Sequence, residues 1–514
     1  MIAAIAFPTL AALIQRITSS PAYRWWNFWT IATGTFFSVV DHGSVLIALP
    51  GIESHFDATL ESVQWVVIAY ALVISVLLLP MGRLGDVVGR RRVYITGTAI
   101  FVVASLGATF APTLEVLVAM RVCKGIGAGM VQGCGMGMML AAFSDAERGK
   151  ALGTHLSVVG MGAIAGPAIG GFLVAYLGWQ SVFFVNVPAG CIVLALSWFL
   201  LERGPVIGQS RPHSSTFDWA GAGVSGVILL VLLLVVGNGN SLGWQSAPVM
   251  VGGIAVAIGM AFFIWWELRT ASPMLDLRLF ANRVFGIGAA SAWLSFFGTS
   301  AARFLMPFYL QRVLGYSPEQ VGLMMIPAAL CMVILGPPSG RLSDKFGWQA
   351  LTVIGLTMSA AGALVLAFAL QERSAVWFVI ATMMMQSAGN AVFNSPNSSS
   401  IISVVDRSRY GVVSALTQLI RNSANVVSVA VSTTIVVSTM ATYGVEPKLE
   451  AVDPSVATAF VAGLRWAYLA MGCAVGTGVV ISLYRAVTSR RPTQPSAPVS
   501  QPEPSPSAGV NGDS

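Results

Sequence analysis

GRLGDVVG at residues 82–89 returns as GRLSDKFG at 340–347, an offset of 258 residues, and Pro80 and Pro338 keep the same offset. Each copy joins one long apolar run to the next. About 20 apolar residues cross the hydrocarbon core of a bilayer as a helix. By that measure fourteen spans are expected, near 28–50, 63–82, 93–111, 114–138, 151–176, 181–201, 217–237, 247–267, 284–311, 320–340, 350–370, 376–402, 411–438 and 461–485. None carries the charge of a soluble helix and none alternates like a barrel strand. Both copies of the repeat follow an even-numbered span.

If each copy opens the loop after the second span of a half, the second half begins near residue 284. Six spans then precede residue 202, six follow residue 284, and two extra spans, 217–237 and 247–267, lie between. Membrane transporters are commonly built from such repeats, with the substrate site at mid-membrane between the halves. The expected organisation is an interfacial segment at 1–27, a six-helix bundle at 28–202, a linker with two helices at 203–283, a second six-helix bundle at 284–487 and a disordered tail at 488–514. The first 20 residues are apolar but lack a basic region ahead of the hydrophobic stretch, which separates them from a cleaved signal peptide. The tail is rich in Pro, Ser and Gly.

Composition agrees with a membrane protein. The 514 residues carry 28 Lys+Arg and 21 Asp+Glu, and 55% of them are hydrophobic. Charged residues make up only 10% of the chain, against roughly 25% in soluble domains, so the polar surface that would cover soluble cores is missing. The net charge of +7 sits in short clusters between apolar runs, without a basic stripe interleaved with aromatics, which argues against a nucleic-acid partner. Five scattered cysteines, all in apolar stretches, give neither a disulfide framework nor a zinc or haem spacing.

Basic residues set the orientation. With the N-terminus in the cytoplasm, twenty of the 28 Lys+Arg fall on the inner side, Arg485 among them. Three (Arg312, Arg373, Lys448) fall outside, and five (Arg121, Lys124, Arg303, Arg421, Arg465) lie in spans or at their edges. Twenty against three, with an even span count, places both termini in the cytoplasm.

Several patterns now stand in order along the chain. The loop motif GRLGDVVGRRR precedes LVAMRVCKGIGAGM at 117–130, GMGAIAGPAIGGFL at 160–173 and GWQSVFFVNVPAG at 178–190. DWAGAG at 218–223 and MPFYLQRVLGYSPEQVGLMMIP at 306–327 follow. Together they resemble the major facilitator superfamily, in its fourteen-span drug:proton antiporter branch. The resemblance implies an all-α membrane fold of two six-helix bundles with two additional central helices. It also implies multidrug efflux by antiport, with a proton as coupling ion and no other cofactor. The partners expected are a small-molecule substrate and the lipid bilayer, and the unit expected to function is a monomer in the cytoplasmic membrane.

Asp41 is the one acid deep in a span. It lies nine residues before Pro50, near the midplane at ~1.5 Å per residue. A carboxylate there is costly and marks function by default. Burial favours its neutral form and a nearby cation its charged form, a balance that suits a proton-coupling group. VDHGSVLIALP at 40–50 resembles the family's first-span motif, whose acid is implicated in proton or cation handling. Gly43 stands where Thr is common, Leu46 where Asn is common, and His42 is unusual. A structural salt bridge between Asp41 and Arg121 is the competing reading.

Arg121 holds the position of the family's fourth-span arginine, thought to face and tune the acid. Lys124, three residues on, replaces the more usual Gln. With Arg303 and Arg421, the interior offers four cations to one acid, which disfavours lipophilic cations and welcomes an anion or zwitterion. The alternative for Lys124 is that it snorkels or pairs with lipid. Gly82, Arg83, Asp86, Gly89 and Arg90 form the loop motif, a gating latch by resemblance, with Gly340, Arg341 and Asp344 as the second-half counterpart. Its glycines allow a tight turn, and Asp86 suits a helix N-terminus. Gly160, Gly162, Gly166, Pro167, Gly170 and Gly171 give the fifth span a smooth face with a kink, and the resemblance makes this the antiporter motif of exporters. Trp65, Tyr70, Phe393, Asn394, Asn397 and Met383–Met385 are pocket candidates, with core or lipid packing as the bland reading.

The chain has no GxxxxGK[ST] loop, so direct ATP drive is not expected. A proton moving inward gains about 2.3 kcal/mol per ~100 mV and about 1.4 kcal/mol per pH unit. One proton could therefore sustain roughly a several-hundred-fold gradient of a neutral solute. The expected function is proton-coupled export of small amphipathic compounds by alternating access. The alternatives are export of an endogenous anionic or zwitterionic metabolite, lipid or siderophore, and a non-transporting sensor or scaffold. An enzyme is not expected, since no nucleophile–base pair or metal cluster appears.

Overall fold

The computed structural model describes residues 23–143, 145–201, 218–270, 277–405, 410–449 and 453–488. Most of the expected interfacial segment and of the tail lies outside the described residues, as do the side chains of Asp86 and Asp344. Among the described residues there is no strand. Helices dominate because a bilayer offers backbone groups no water, so each must bond within its own segment. Among the described residues fourteen helices are longer than two turns: α1 Tyr23–His55, α2 Trp65–Leu84, α3 Arg90–Thr109, α4 Leu114–Ala141, α5 Asp145–Leu177, α6 Asn186–Leu200, α7 Trp219–Leu242, α8 Ala247–Arg269, α9 Arg283–Phe308, α10 Pro318–Phe346, α11 Trp348–Ala369, α12 Val376–Ile402, α13 Tyr410–Thr442 and α14 Pro454–Thr488.

Thirteen of these regions are long and apolar enough to cross a membrane. The exception is α4, at 28 residues long enough but diluted by Arg121, Lys124 and its glycines. Polar side chains inside the helices largely satisfy themselves. Thr30 and Thr98, for example, bond back to the carbonyls of Trp26 and Tyr94 at 2.9 Å. Helix starts are capped where the sequence supplies a short acceptor: Asn282 Oδ1 accepts from the Val284 amide at 2.9 Å, and Asp218 Oδ1 from Gly221 at 2.7 Å.

The 258-residue repeat is a repeat of packing. Helix pairs α1–α5, α1–α6, α2–α4, α3–α4 and α3–α6 recur as α9–α13, α9–α14, α10–α12, α11–α12 and α11–α14. Gly97 and Gly355, one offset apart, both sit on a neighbouring helix backbone: a Cβ would meet Gly127 O at 2.8 Å and Gly389 O at 2.6 Å. The two bundles meet along α5–α10 and α2–α13, pairs exchanged by a two-fold axis running along the helices. α7 bridges the second seam. It packs on both α2 and α13 and accepts a bond from Thr434 Oγ1 at Val236 O, 2.9 Å. α8 packs on α7 and is otherwise largely exposed.

The core is continuous across the bundles at one face only. On the face carrying His55, Ile47, Leu49 and Phe183 of the first bundle join Leu305, Phe308, Val436 and Phe460 of the second in one buried cluster. On the face carrying Tyr23 the cores separate, into Phe28, Tyr94 and Met139 in one bundle and Phe285, Ile401 and Leu416 in the other. Polar contacts reinforce the closed face. Gln311 Nε2 donates to Ile47 O at 3.0 Å, Arg312 donates to Pro50 O, and Glu53 Oε1 accepts from the Leu449 amide at 2.8 Å. The Leu60 amide bonds Pro447 O at 3.1 Å, and Lys448 pairs with Asp57 at 2.8 Å. The halves form a wedge that is shut at the His55 face.

Candidate functional site

Asp41 stands two residues past the midpoint of α1 and is buried completely. Three side chains converge on its carboxylate. Lys124 Nζ lies 2.7 Å from Oδ1, Asn186 Nδ2 donates to the same oxygen at 2.7 Å, and Arg121 Nη1 lies 3.2 Å from Oδ2. Arg121 and Lys124 are three residues apart on α4, so they share a face. Asn186 opens α6 and also donates to Val182 O at 2.8 Å. Arg121 Nε is tied to Val66 O at 2.7 Å, and its guanidinium carbon lies 4.1 Å from the centre of the Tyr70 ring. Lys124 Nζ lies 4.5 Å from the Phe101 ring centre. Aromatic faces stabilise cations removed from water. Two cations against one acid leave the cluster one positive charge in excess, and the helices that build it, α1, α2, α3, α4 and α6, all belong to the first bundle.

One helical step from Asp41, His42 turns toward the other bundle. It lines a cleft with Leu46, Val67, Ile68, Ser300, Arg303, Phe304 and Asn425. The cleft measures about 40 Å³, room for a few waters at ~10–15 Å³ each but not for a drug-sized molecule. Arg303, five residues before the end of α9, is exposed and lines the cleft, and Asn425 accepts from Ser300. Arg421, one turn from Asn425 on α13, donates to Gln418 Oε1. A polar ladder continues away from the cleft: Asn394 donates to Asn390 at 2.6 Å and Asn390 to Ser295 at 3.1 Å.

The sequence matches the Major Facilitator Superfamily over residues 31–429 and again over 288–510. The chain belongs to the Major Facilitator Superfamily. It is 31% identical to the multidrug resistance protein Stp of Mycobacterium tuberculosis over 427 residues, which are 82% of this chain and 78% of that one. It is also 31% identical to the riboflavin transporter RibZ of Clostridioides difficile over 405 residues, 78% of this chain and 85% of the relative. Among solved structures, a bacterial homologue of the human lysosomal transporter Spinster, inward-facing and unoccupied, aligns with a TM-score of 0.69. It covers 91% of this chain and 98% of its own at 16% identity, which speaks to the fold alone. The chain is thus a multi-pass membrane transporter of the facilitator fold.

Within that fold the fifth-span motif has two working faces. Gly162, Gly166 and Gly170 lie on α1: a Cβ would meet Val39 Cβ at 3.0 Å, Gly43 Cα at 3.1 Å and Ser44 Cα at 2.5 Å. Ser44 Oγ donates to Gly166 O at 2.9 Å. Gly160 and Gly171 look across the seam to α10, where a Cβ would meet Val333 Cγ2 at 2.8 Å and Pro318 O at 2.6 Å. Pro167 also touches both sides, against Gly43 and Gly322. The motif therefore connects the helix of Asp41 to the second bundle of this facilitator.

The loop motif turns on its last residue. Gly89 and Gly347, one offset apart, have φ of +106° and +85°, conformations that favour glycine. Gly82 and Gly85 press α2 on α4 at Gly133 and Cys134, Gly340 presses α10 on α12 at Ser395, and the Arg90 guanidinium lies against Gly137. These contacts stay inside one bundle. Arg83 is half-buried and Arg341 exposed. The latch expected of Asp86 and Asp344 falls on side chains outside the described residues.

Of the pocket candidates, Tyr70 belongs to the Asp41 cluster and Lys124 is held there instead of facing lipid or the cleft. Trp65 and Asn394 are half-buried, Phe393 and Asn397 are buried, and Met383 to Met385 run from buried to exposed. Asn397 serves a different site: its Oδ1 accepts from Arg485 at 3.1 Å, and Ser400 accepts from the same guanidinium at 2.7 Å. Arg485, counted among the inner-side cations, is buried over the ring of Trp348. Sequence reasoning also missed Asn186. Its signal was present, an amide inside the apolar run VFFVNVP. Among the described residues no group of three His, Cys, Asp or Glu stands close enough to hold a metal.

Proposed function

We propose that this transporter is a proton-coupled antiporter of the fourteen-span drug:proton branch, exporting small amphipathic compounds by alternating access, with both termini cytoplasmic. The observation that carries the reading is the fully buried Asp41 carboxylate, bound by Arg121, Lys124 and Asn186 near the middle of α1. An acid at that depth needs cations to remain charged, and its protonation would release both of them. Since all four residues lie in one bundle, rocking of the halves would change what reaches the cluster and leave its composition intact. Proton arrival from outside and substrate arrival from inside would then alternate at a fixed site.

The wedge shut at the His55 face supports an inward-facing state, because the excess of Lys+Arg puts the Tyr23 face in the cytoplasm. In this reading α4 counts as a span: its charges face Asp41 rather than lipid. Two relatives named for multidrug resistance and for riboflavin transport support a small-molecule substrate. The test is substrate-induced proton release from the purified protein in detergent, wild type against Asp41→Asn. Release in the wild type and none in the variant is the expected outcome. Equal release from both would remove Asp41 from the mechanism.

A further inference from the structure

Arg303 lines the cleft between the bundles, and Arg421 stands one helical turn from Asn425 in its wall. The acid beside His42 in sequence is Asp41, and Arg121 and Lys124 occupy both of its oxygens, with all three side chains fully buried. Arg303 forms no ion pair among the described residues, and Arg421 has the Gln418 amide oxygen as its hydrogen-bond acceptor. Asn425, one turn after Arg421, shares the cleft wall with Arg303 and His42 and accepts a hydrogen bond from Ser300 on the helix of Arg303. No carboxylate lines the cleft. A protein that holds two like charges together mid-membrane carries a standing cost unless an anion joins them.

We propose that Arg303 and Arg421 form the recognition site for the charged group of an amphipathic organic anion. Its apolar body lies against Leu46, Val67, Phe304 and Val429. The Asn425 amide and the His42 ring stand at the same wall and supply neutral hydrogen-bonding groups beside the arginines. The present cleft admits only water, so the anion enters as the halves separate. A lipophilic cation meets repulsion at this site, with no free acid to offset it. The proposal rests on the export of small amphipathic compounds argued above and narrows that class to anions.

The test uses the full-length protein in phosphatidylcholine nanodiscs and three matched probes: 1-naphthylacetate, its neutral amide and 1-naphthylmethylammonium. Titration calorimetry should rank them anion, amide, cation. Arg303→Gln and Arg421→Gln should each weaken naphthylacetate about ten- to hundredfold, the worth of a charged hydrogen bond, and leave the amide unchanged. Arg303→Lys, which keeps the charge, should retain the preference and guards against a simple loss of fold. A second arm adds phosphatidylglycerol: displacement of naphthylacetate in the wild type makes a lipid headgroup the natural source of the anion, and no displacement makes it a soluble compound. The proposal fails if the ammonium binds as well as the carboxylate, if no probe binds, or if Arg303→Gln leaves the anion-to-amide ratio unchanged. A lost anion preference with intact proton release at Asp41 overturns this inference alone. Anion binding at Arg303 without proton release overturns the proton coupling alone.

Discussion

Lys124 Nζ lies 2.7 Å from Asp41 Oδ1, so the fourth-span lysine and the first-span acid form a buried ion pair beside the one with Arg121. The pair has a consequence for mutagenesis. Asp41→Asn alone leaves two buried cations without a counter-charge, and breaking a buried pair costs about 3–5 kcal/mol. Asp41→Asn combined with Lys124→Gln leaves Arg121 as the single cation. The single variant is expected to lose several degrees of thermal stability in detergent, with the double variant recovering most of that loss. Proton-driven efflux should be absent from both. A double variant no more stable than the single one would show that Lys124 does not depend on Asp41.

The two-faced glycine strip of α5 makes a separate prediction. Gly171 approaches Pro318 O and Gly322 across the seam, and Gly170 approaches Ser44 on the helix of Asp41. Valine at either site forces a packed backbone apart, at a cost of about 1–3 kcal/mol for overpacking. Gly171→Val should block transport by holding the His55 face open, seen as increased labelling of a cysteine placed at Gln311. Gly170→Val should disturb the Asp41 cluster without that labelling. Gly253 on α8, with open space around it, is the control, and Gly253→Val should transport normally.

The strap after α13 closes the same face. Lys448 and Asp57 are partly exposed, and such a pair is worth about 0–1 kcal/mol, so Lys448→Ala should change transport little. Glu53 is different: it is buried and accepts from the Leu449 amide at 2.8 Å. Glu53→Ala should loosen the strap and favour opening at the His55 face. Joining Asp57→Cys to Lys448→Cys with a short cleavable cross-linker should halt transport, and cleaving the linker should restore it. Continued transport in the linked protein would mean that this face need not open.

The fold was legible because its signals are long and redundant. Apolar runs of membrane length and one eight-residue repeat sufficed to expect a helical membrane fold built from two related halves; the two-fold relation between them emerged from the packing. Asp41 and Arg121 stood out because charge is rare at that depth. The role of Lys124 did not, since three-residue spacing puts it on the face of Arg121 but cannot say whether that face meets lipid, cleft or acid. Asn186 and Glu53 were harder still. Their partners lie 145 and 396 residues away in sequence, and only packing brings them together. The burial of Arg485, at the end of the expected span 461–485, was not legible: its partners Asn397 and Ser400 lie 88 and 85 residues away in sequence.

Substrate charge sets how the transporter should respond to voltage. A neutral solute leaving as one proton enters moves one charge down the potential, about 2.3 kcal/mol per ~100 mV. A monoanion leaving against the same proton moves two, about 4.6 kcal/mol, and a monocation moves none. In proteoliposomes with a potassium diffusion potential set by valinomycin and no pH gradient, the attainable gradient should rise roughly 50-fold per ~100 mV for a neutral compound and roughly 2,000-fold for an anion. If Arg303 and Arg421 select anions, the better-transported compounds should show the steeper dependence, and Arg303→Gln should lower their rate without changing the slope. A transported compound whose gradient ignores voltage would be a cation, and would place its recognition away from these two arginines.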